Sequence, residues 1–134
     1  MKKTVKILIV AFSFLLLYPV YASSSSLLIL TEKNFQQTIM GERPVLVKFW
    51  AAWCEPCRRM APKFRKVSKS YVGQILFAEL NVDKAKEIAN RYQVNTIPTT
   101  ILFIKGKEMD RFTGGLNVNQ IDYWASEILR GRYE

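Results

Sequence analysis

The stretch Val45-Leu46-Val47-Lys48-Phe49-Trp50-Ala51-Ala52-Trp53-Cys54-Glu55-Pro56-Cys57 joins an almost continuous β-prone run to two cysteines three positions apart. A run with so little polar alternation suits a strand covered on both faces, as in a parallel or mixed sheet. Beyond it Met60, Phe64, Val67 and Tyr71 recur at helical spacing, so one long amphipathic helix is expected over about residues 54–70. The cysteines then fall where a buried strand hands over to the first turn of a helix. Pro56 suits that turn, because a missing backbone donor costs nothing there. Pro62 lies deeper and is expected to kink the helix by removing the donor that would reach Arg58.

That placement carries chemistry. Spacing of three puts Cys54 and Cys57 on one face within a turn, close enough for a disulfide without moving the backbone. The amino end of a helix offers free backbone donors and the positive end of the dipole, which favour a thiolate at Cys54. Cys57, a turn further in, is expected to be more buried and able to attack a mixed disulfide on Cys54. A purely structural disulfide is the plainer alternative, but a loop with two intervening residues constrains the unfolded chain very little. Zinc is weaker still, because two thiolates fill half of a tetrahedral site.

Working outward, Leu27–Leu30 is a short apolar strand, and Thr31 with Glu32 can cap a helix through about Met40 carrying Phe35 and Ile39 on one face. Gln74–Val82 reads as another strand, after which Asp83 is placed to cap a helix with Ala85, Ile88, Ala89 and Tyr92 inward. Thr99–Ile104 and Glu108–Thr113 flank Lys105-Gly106-Lys107, a β-hairpin pattern with glycine in the turn. From Asn117 onward Ile121, Trp124, Ala125, Ile128 and Leu129 mark a terminal amphipathic helix. The order β-α-β-α-β-α-β-β-α implies an α/β fold, a central mixed sheet flanked by helices on both faces.

The composition of the 134 residues, 49% hydrophobic and 23% charged with six glycines and five prolines, fits one globular domain. The absence of histidine removes Ser-His-Asp and Cys-His hydrolases, His-ligated metals and histidine-held haem. Of the 20 Lys and Arg, which against 11 Asp and Glu give +9, Lys2, Lys3 and Lys6 precede an apolar run from Ile7 to Tyr18, followed by Pro19-Val20-Tyr21-Ala22. This is the pattern of a secretory signal over residues 1–22, with cleavage expected after Ala22. The run is 12 residues long, below the roughly 17–25 of a spanning helix, which favours a cleaved signal over a membrane anchor. Its removal lowers the net charge to +6. Ser23–Ser26 then forms a short leader, and residues 27–134 the domain. In an exporting compartment a thiol pair can be held oxidised, so a redox pair needs its own supply of electrons.

Phe49-Trp50-Ala51-Ala52-Trp53-Cys54-Glu55-Pro56-Cys57, then Ala61-Pro62, Leu80-Asn81-Val82-Asp83, Tyr92-Gln93-Val94, Ile97-Pro98-Thr99 and Gly114 resemble the thioredoxin family in order and spacing, from about Leu27 to Leu129. The resemblance implies a thioredoxin fold, with Cys54 as attacking thiol, Cys57 as resolving thiol and Pro98 as a cis-proline facing the disulfide. It implies that Ile97 offers its backbone to an extended substrate, and that Trp53 and Gly114 line the docking surface. Core packing is the alternative for Trp53, whereas Trp50 is assigned to the core.

Two positions depart from the family pattern. The family usually has a buried acid before the Phe-Trp pair and a lysine on the adjacent strand, whereas Lys48 and Glu79 stand there, the charges exchanged. Alternation turns Lys48 away from Val47 and Phe49, which leaves two readings. One is an ion pair beneath the cysteines, its ammonium favouring the Cys57 thiolate and Glu79 relaying protons through water. The other is a lysine snorkelling to solvent beside a surface glutamate. Glu55 stands where thioredoxins usually have glycine; a carboxylate there opposes the Cys54 thiolate and makes the disulfide harder to reduce. Glu-Pro between the cysteines is also similar to extracytoplasmic reductases of cytochrome c maturation, though those usually carry an insertion that this compact sequence has no room for. Arg58, Arg59, Lys63, Arg65, Lys66 and Lys69 oppose Glu55 along the helix. They read as a solvated face, with steering of acidic partners or contact with an anionic membrane as alternatives.

The expected activity is therefore that of an exported thiol-disulfide oxidoreductase reducing protein disulfides, in cytochrome c maturation or envelope disulfide reduction. A disulfide oxidase or isomerase, or a non-catalytic binding module, are the alternatives. No metal or other cofactor beyond the Cys54–Cys57 disulfide is expected. The expected partners are protein disulfides and a membrane thiol-disulfide electron donor, with no nucleic acid, and the expected state is a monomer.

Overall fold

The structure is a computed structural model and describes residues 25–134. The expected signal over residues 1–22, its cleavage point and the first two serines of the leader lie outside the described residues. Ten elements follow in order: β1 Leu28–Leu30, α1 Glu32–Ile39, β2 Val45–Trp50, α2 Glu55–Ser68, a 3-10 turn Lys69–Tyr71, β3 Leu76–Asn81, α3 Lys86–Arg91, β4 Thr99–Ile104, β5 Lys107–Thr113 and α4 Val118–Leu129. The strands form one sheet ordered β1-β3-β2-β4-β5. β1, β3 and β2 run parallel, and β4 and β5 are antiparallel to their neighbours. This is the mixed sheet expected of the thioredoxin fold.

Alternation along the strands divides the side chains between two cores. Val45, Val47 and Phe49 of β2 meet Phe35 and Ile39 of α1 and Ile88 of α3 on one face. Leu46 faces the other way, into Met60, Phe64 and Val67 of α2 and Ile121, Ala125 and Ile128 of α4. Helices therefore cover both faces. With eight residues, α1 is too short to persist alone in water. What holds it is Phe35, whose ring lies 6.5, 5.6 and 5.7 Å from those of Phe49, Tyr92 and Phe103. Burying one such ring stabilises the fold by roughly 1.5–3 kcal/mol.

Several boundaries differ from the sequence reading. β3 starts at Leu76 rather than Gln74, because the Gln74 and Ile75 amides both donate to the Tyr71 carbonyl, at 3.0 and 3.1 Å. The hairpin turn is only Lys105-Gly106, both with positive φ, 49° and 82°, the two-residue geometry whose twist matches the strands. Asp83 does not cap α3; that place belongs to Ala85. The Asp83 amide is held by Asn81 Oδ1 at 2.9 Å and its carboxylate is engaged elsewhere. Leu129, expected on the inner face of α4, is 44% exposed at the helix end. α2 continues through Pro62 without interruption.

Candidate redox site at the amino end of helix α2

After β2 the chain turns through Ala51-Ala52-Trp53, a turn closed by the Cys54 amide donating to the Ala51 carbonyl at 3.2 Å. Cys54 is the N-cap of α2, and its sulfur accepts the Cys57 N–H at 3.2 Å. In most helices a Ser or Asp oxygen takes this position. Here the amide and the positive end of the dipole already converge on sulfur, the arrangement that stabilises a thiolate. A disulfide joins Cys54 to Cys57 across a Cα separation of 5.2 Å. Burial does not separate the two as expected, since both are nearly closed off, 4% and 2% exposed. Position does: Cys54 caps the helix, while Cys57 packs a turn inside it.

The opposite wall is the turn before β4. The Ile97-Pro98 peptide bond is cis, as the resemblance implied, and the Cys54 sulfur lies 3.7 Å from the Ile97 carbonyl oxygen. Thr99 Oγ1 donates to the Thr96 carbonyl at 2.6 Å, and the Gly114 amide donates to the Pro98 carbonyl at 2.7 Å. Gly114 adopts φ +108°, and a Cβ built there would meet nothing within 4 Å. Glycine is required at this point for its backbone conformation, not for space.

Trp53 is 70% exposed, so the core alternative is excluded for it. Its indole N–H donates to Asp83 Oδ2 at 3.0 Å, fixing a large apolar plate beside the disulfide. Trp50 is only half-buried and packs against the cluster of Ala51, Cys54 and Cys57, a correction to its assignment to the core. The sequence reading missed Asp83 as the partner of Trp53, because 30 residues separate them and the same aspartate suited a helix cap.

Lys48 and Glu79 form the ion pair, with Nζ 3.1 Å from Oε2 and the two side chains 2% and 11% exposed. The snorkelling alternative is excluded. β2 and β3 pair with Lys48 directly opposite Glu79, so the contact follows from register. The Lys48 ammonium also lies 5.2 Å from the Phe64 ring centroid, on the face where aromatic π density attracts a cation. Burial holds the lysine below its usual pKa, against the opposing pull of Glu79. A cavity of about 170 Å3 is lined by Lys48, Glu79, Cys57, Trp50, Arg58, Ala61 and Arg65. The ion pair and the resolving cysteine thus border one space.

Glu55, between the cysteines, is exposed and paired with Arg58 and with Arg59, the latter at 3.6 Å. The hydrogen bond from Arg58, and then its charge, hold the carboxyl below its usual pKa. The carboxylate is ionised beside Cys54, and two guanidinium groups offset much of its field. Pro56 occupies the second position of α2, within the first turn as predicted. Among the described residues no group of three or more His, Cys, Asp or Glu side chains is placed to hold a metal ion.

A redox-capable cysteine pair at the amino end of a helix, on an α/β sheet and facing a cis-proline turn, defines a thiol-disulfide oxidoreductase site. The comparison with known proteins specifies the family. The family model described as Thioredoxin matches residues 26–127, and the chain belongs to the thioredoxin family. It is 40% identical over 101 residues to a thioredoxin of Alicyclobacillus acidocaldarius subsp. acidocaldarius, covering 75% of this chain and 96% of that one. It is 40% identical over 92 residues to a thioredoxin of Chlorobaculum thiosulfatiphilum (68% and 85%), and 34% identical over 100 residues to one of Rickettsia bellii (74% and 95%).

Proposed function

We propose that this protein is an exported reductase of protein disulfides. The observation that carries the reading is the Cys54 sulfur at the helix cap, accepting the Cys57 amide beside the Ile97 carbonyl. In the reduced state the Cys54 thiolate attacks one sulfur of a substrate disulfide, forming a mixed disulfide and releasing one substrate thiolate, which takes up a proton. Cys57 then loses its proton and attacks the Cys54 sulfur. This forms the Cys54–Cys57 disulfide, releases the second substrate thiolate and transfers two electrons in all. A membrane thiol-disulfide protein would return them.

The other site residues take supporting roles. Ile97 offers its backbone to an extended substrate beside Pro98, and Trp53 and Gly114 border that groove. Lys48 favours the Cys57 thiolate across the shared cavity, with Glu79 exchanging its proton through water. Glu55 biases the pair toward donating electrons, and the Glu55-Pro56 sequence supports a place in cytochrome c maturation or envelope disulfide reduction. Residues 1–22 are proposed as the export signal, residues 27–134 as the domain, and the working form as a monomer.

Insulin reduction driven by dithiothreitol tests the reaction. Cys54→Ser is expected to abolish turnover; no turnover in the parent and no effect of the substitution would leave only a binding module. A redox potential measured against glutathione tests the direction, and a value near that of strong oxidants would make the protein an oxidase. Thiol titration and reduction rates in Lys48→Ala and Glu79→Ala test the supporting pair, whose role fails if both variants match the parent. Amino-terminal sequencing of the protein from its native compartment is expected to begin at Ser23, and Cys57→Ala is expected to trap the partners as mixed disulfides.

A further inference from the structure

Helix α2 carries more positive charge than Glu55 answers. Next to the disulfide lies a groove of about 350 Å3, walled by Pro56, Arg59, Met60 and Lys63 on one side and by Gly115, Leu116, Asn117 and Gln120 on the other. No carboxylate lines it. Among the described residues Lys63 has no acidic group within 4.0 Å, and Arg59 has only Glu55, at 3.6 Å and shared with Arg58. On the other side of the cysteines the exposed Trp53 is tied to Asp83. The cations beyond Pro56 therefore line a concave surface without a carboxylate of their own. A uniformly solvated helix would spread its cations without regard to the disulfide. Here two of them converge on a concave wall that also includes Pro56, between the two cysteines, and Gly115.

We infer that the Arg59–Lys63 groove selects substrates whose reactive cysteine is flanked by acidic side chains, a flanking carboxylate seating between the two cations while the sulfur meets Cys54. This rests on the reductase reading and specifies its substrate class. Complementary charge raises the encounter rate and fixes the register of docking more than it deepens affinity. A protein segment fits the groove better than a lipid surface does, because the wall is concave and polar and begins at Pro56, between the two cysteines.

The test uses three disulfide peptides of one sequence, with Glu, Gln or Lys flanking the cysteine, reduced by the protein with dithiothreitol as electron source. At low salt the Glu peptide is expected to exceed the Gln peptide in kcat/KM by about tenfold, the lower end of electrostatic steering. The Lys peptide is expected to fall below both. The preference should fade as salt approaches about 1 M, where charges are screened beyond about 3 Å. Arg59→Glu/Lys63→Glu is expected to reverse the order of the Glu and Lys peptides. Lys33→Glu/Lys107→Glu makes the same change in net charge at exposed positions away from the groove and is expected to preserve it. Equal rates for all three peptides, or a preference that survives the groove substitutions, would overturn the inference. So would loss of the preference in the Lys33/Lys107 variant, or binding to vesicles of anionic phosphatidylglycerol with no discrimination among peptides. Failure to reduce any peptide would instead count against the reductase reading.

Discussion

On one face of the sheet Val45, Val47 and Phe49 meet Phe35, Ile39 and Phe103, and the buried Thr99, opposite Phe49, has its hydroxyl satisfied by the Thr96 carbonyl. On the other face, within the same strands, Glu79, Lys48 and Thr100 stand side by side in register across β3, β2 and β4. Lys48 and Thr100 are 1% and 0% exposed. The apolar face resembles any well-packed α/β core. The polar row runs beneath α2, where it shares a cavity with Cys57. Burying polar groups costs free energy unless they are paired. The fold places a buried ion pair and an unpartnered hydroxyl on the face that holds the redox cysteine, so the first face is read as stability and the second as stability traded for a site.

The sharpest way to break this comparison is to damage each face alone. Phe35→Ala is expected to lower stability by about 3–5 kcal/mol in urea unfolding, with no change in the reduction potential of Cys54–Cys57. Lys48→Met leaves the Glu79 carboxylate unpaired and is expected to cost about 3 kcal/mol, the low end for a broken buried pair because Glu79 reaches the surface. Unlike Phe35→Ala, it should also move the pH profile of Cys57 alkylation. Lys48→Met/Glu79→Leu is expected to recover most of that stability while leaving the thiol profile altered. A double variant with parental redox behaviour would mean that the row serves packing alone.

Thr100 gives a smaller effect of opposite sign. Its Oγ1 is buried without a hydrogen-bond partner among the described residues. Thr100→Val keeps the shape and is expected to stabilise by up to about 1 kcal/mol. Smallest is the pH response. Burial holds Lys48 below its ordinary 10.5, so in the interval between the folded and unfolded pKa the unfolded chain binds more protons. Stability from this group then rises with pH. Urea midpoints at about pH 8 and about pH 10 should show that rise in the parent relative to Lys48→Met; parallel curves would contradict it.

Much of the site was legible in the sequence because its parts are local. Cys54, Pro56 and Cys57 lie within one helical turn, and the apolar run before them and the amphipathic run after them place that turn at a strand end. The succession of elements along the chain and the glycine turn of the hairpin, read at Lys105-Gly106-Lys107, were equally local. Errors came where one residue suited two local roles: Asp83 suits a helix cap, but its carboxylate holds Trp53. Trp50 suits a core strand, yet it stands at the strand's end, where the sheet opens onto the cysteines.

The sequence by itself determined the alternation of β2, the cap of α2 and the pairing distance of the cysteines, since each depends on residues a few positions apart. Only the tertiary structure decided between an ion pair and a snorkelling lysine, because Lys48 and Glu79 meet through the register of two parallel strands 31 positions apart in the chain. The same holds for the Ile97 carbonyl beside Cys54 and for the groove between α2 and the Gly115–Gln120 segment. A side chain's alternating face follows from its own strand; its partner is set by where the neighbouring strand or helix comes to rest, which no local period encodes.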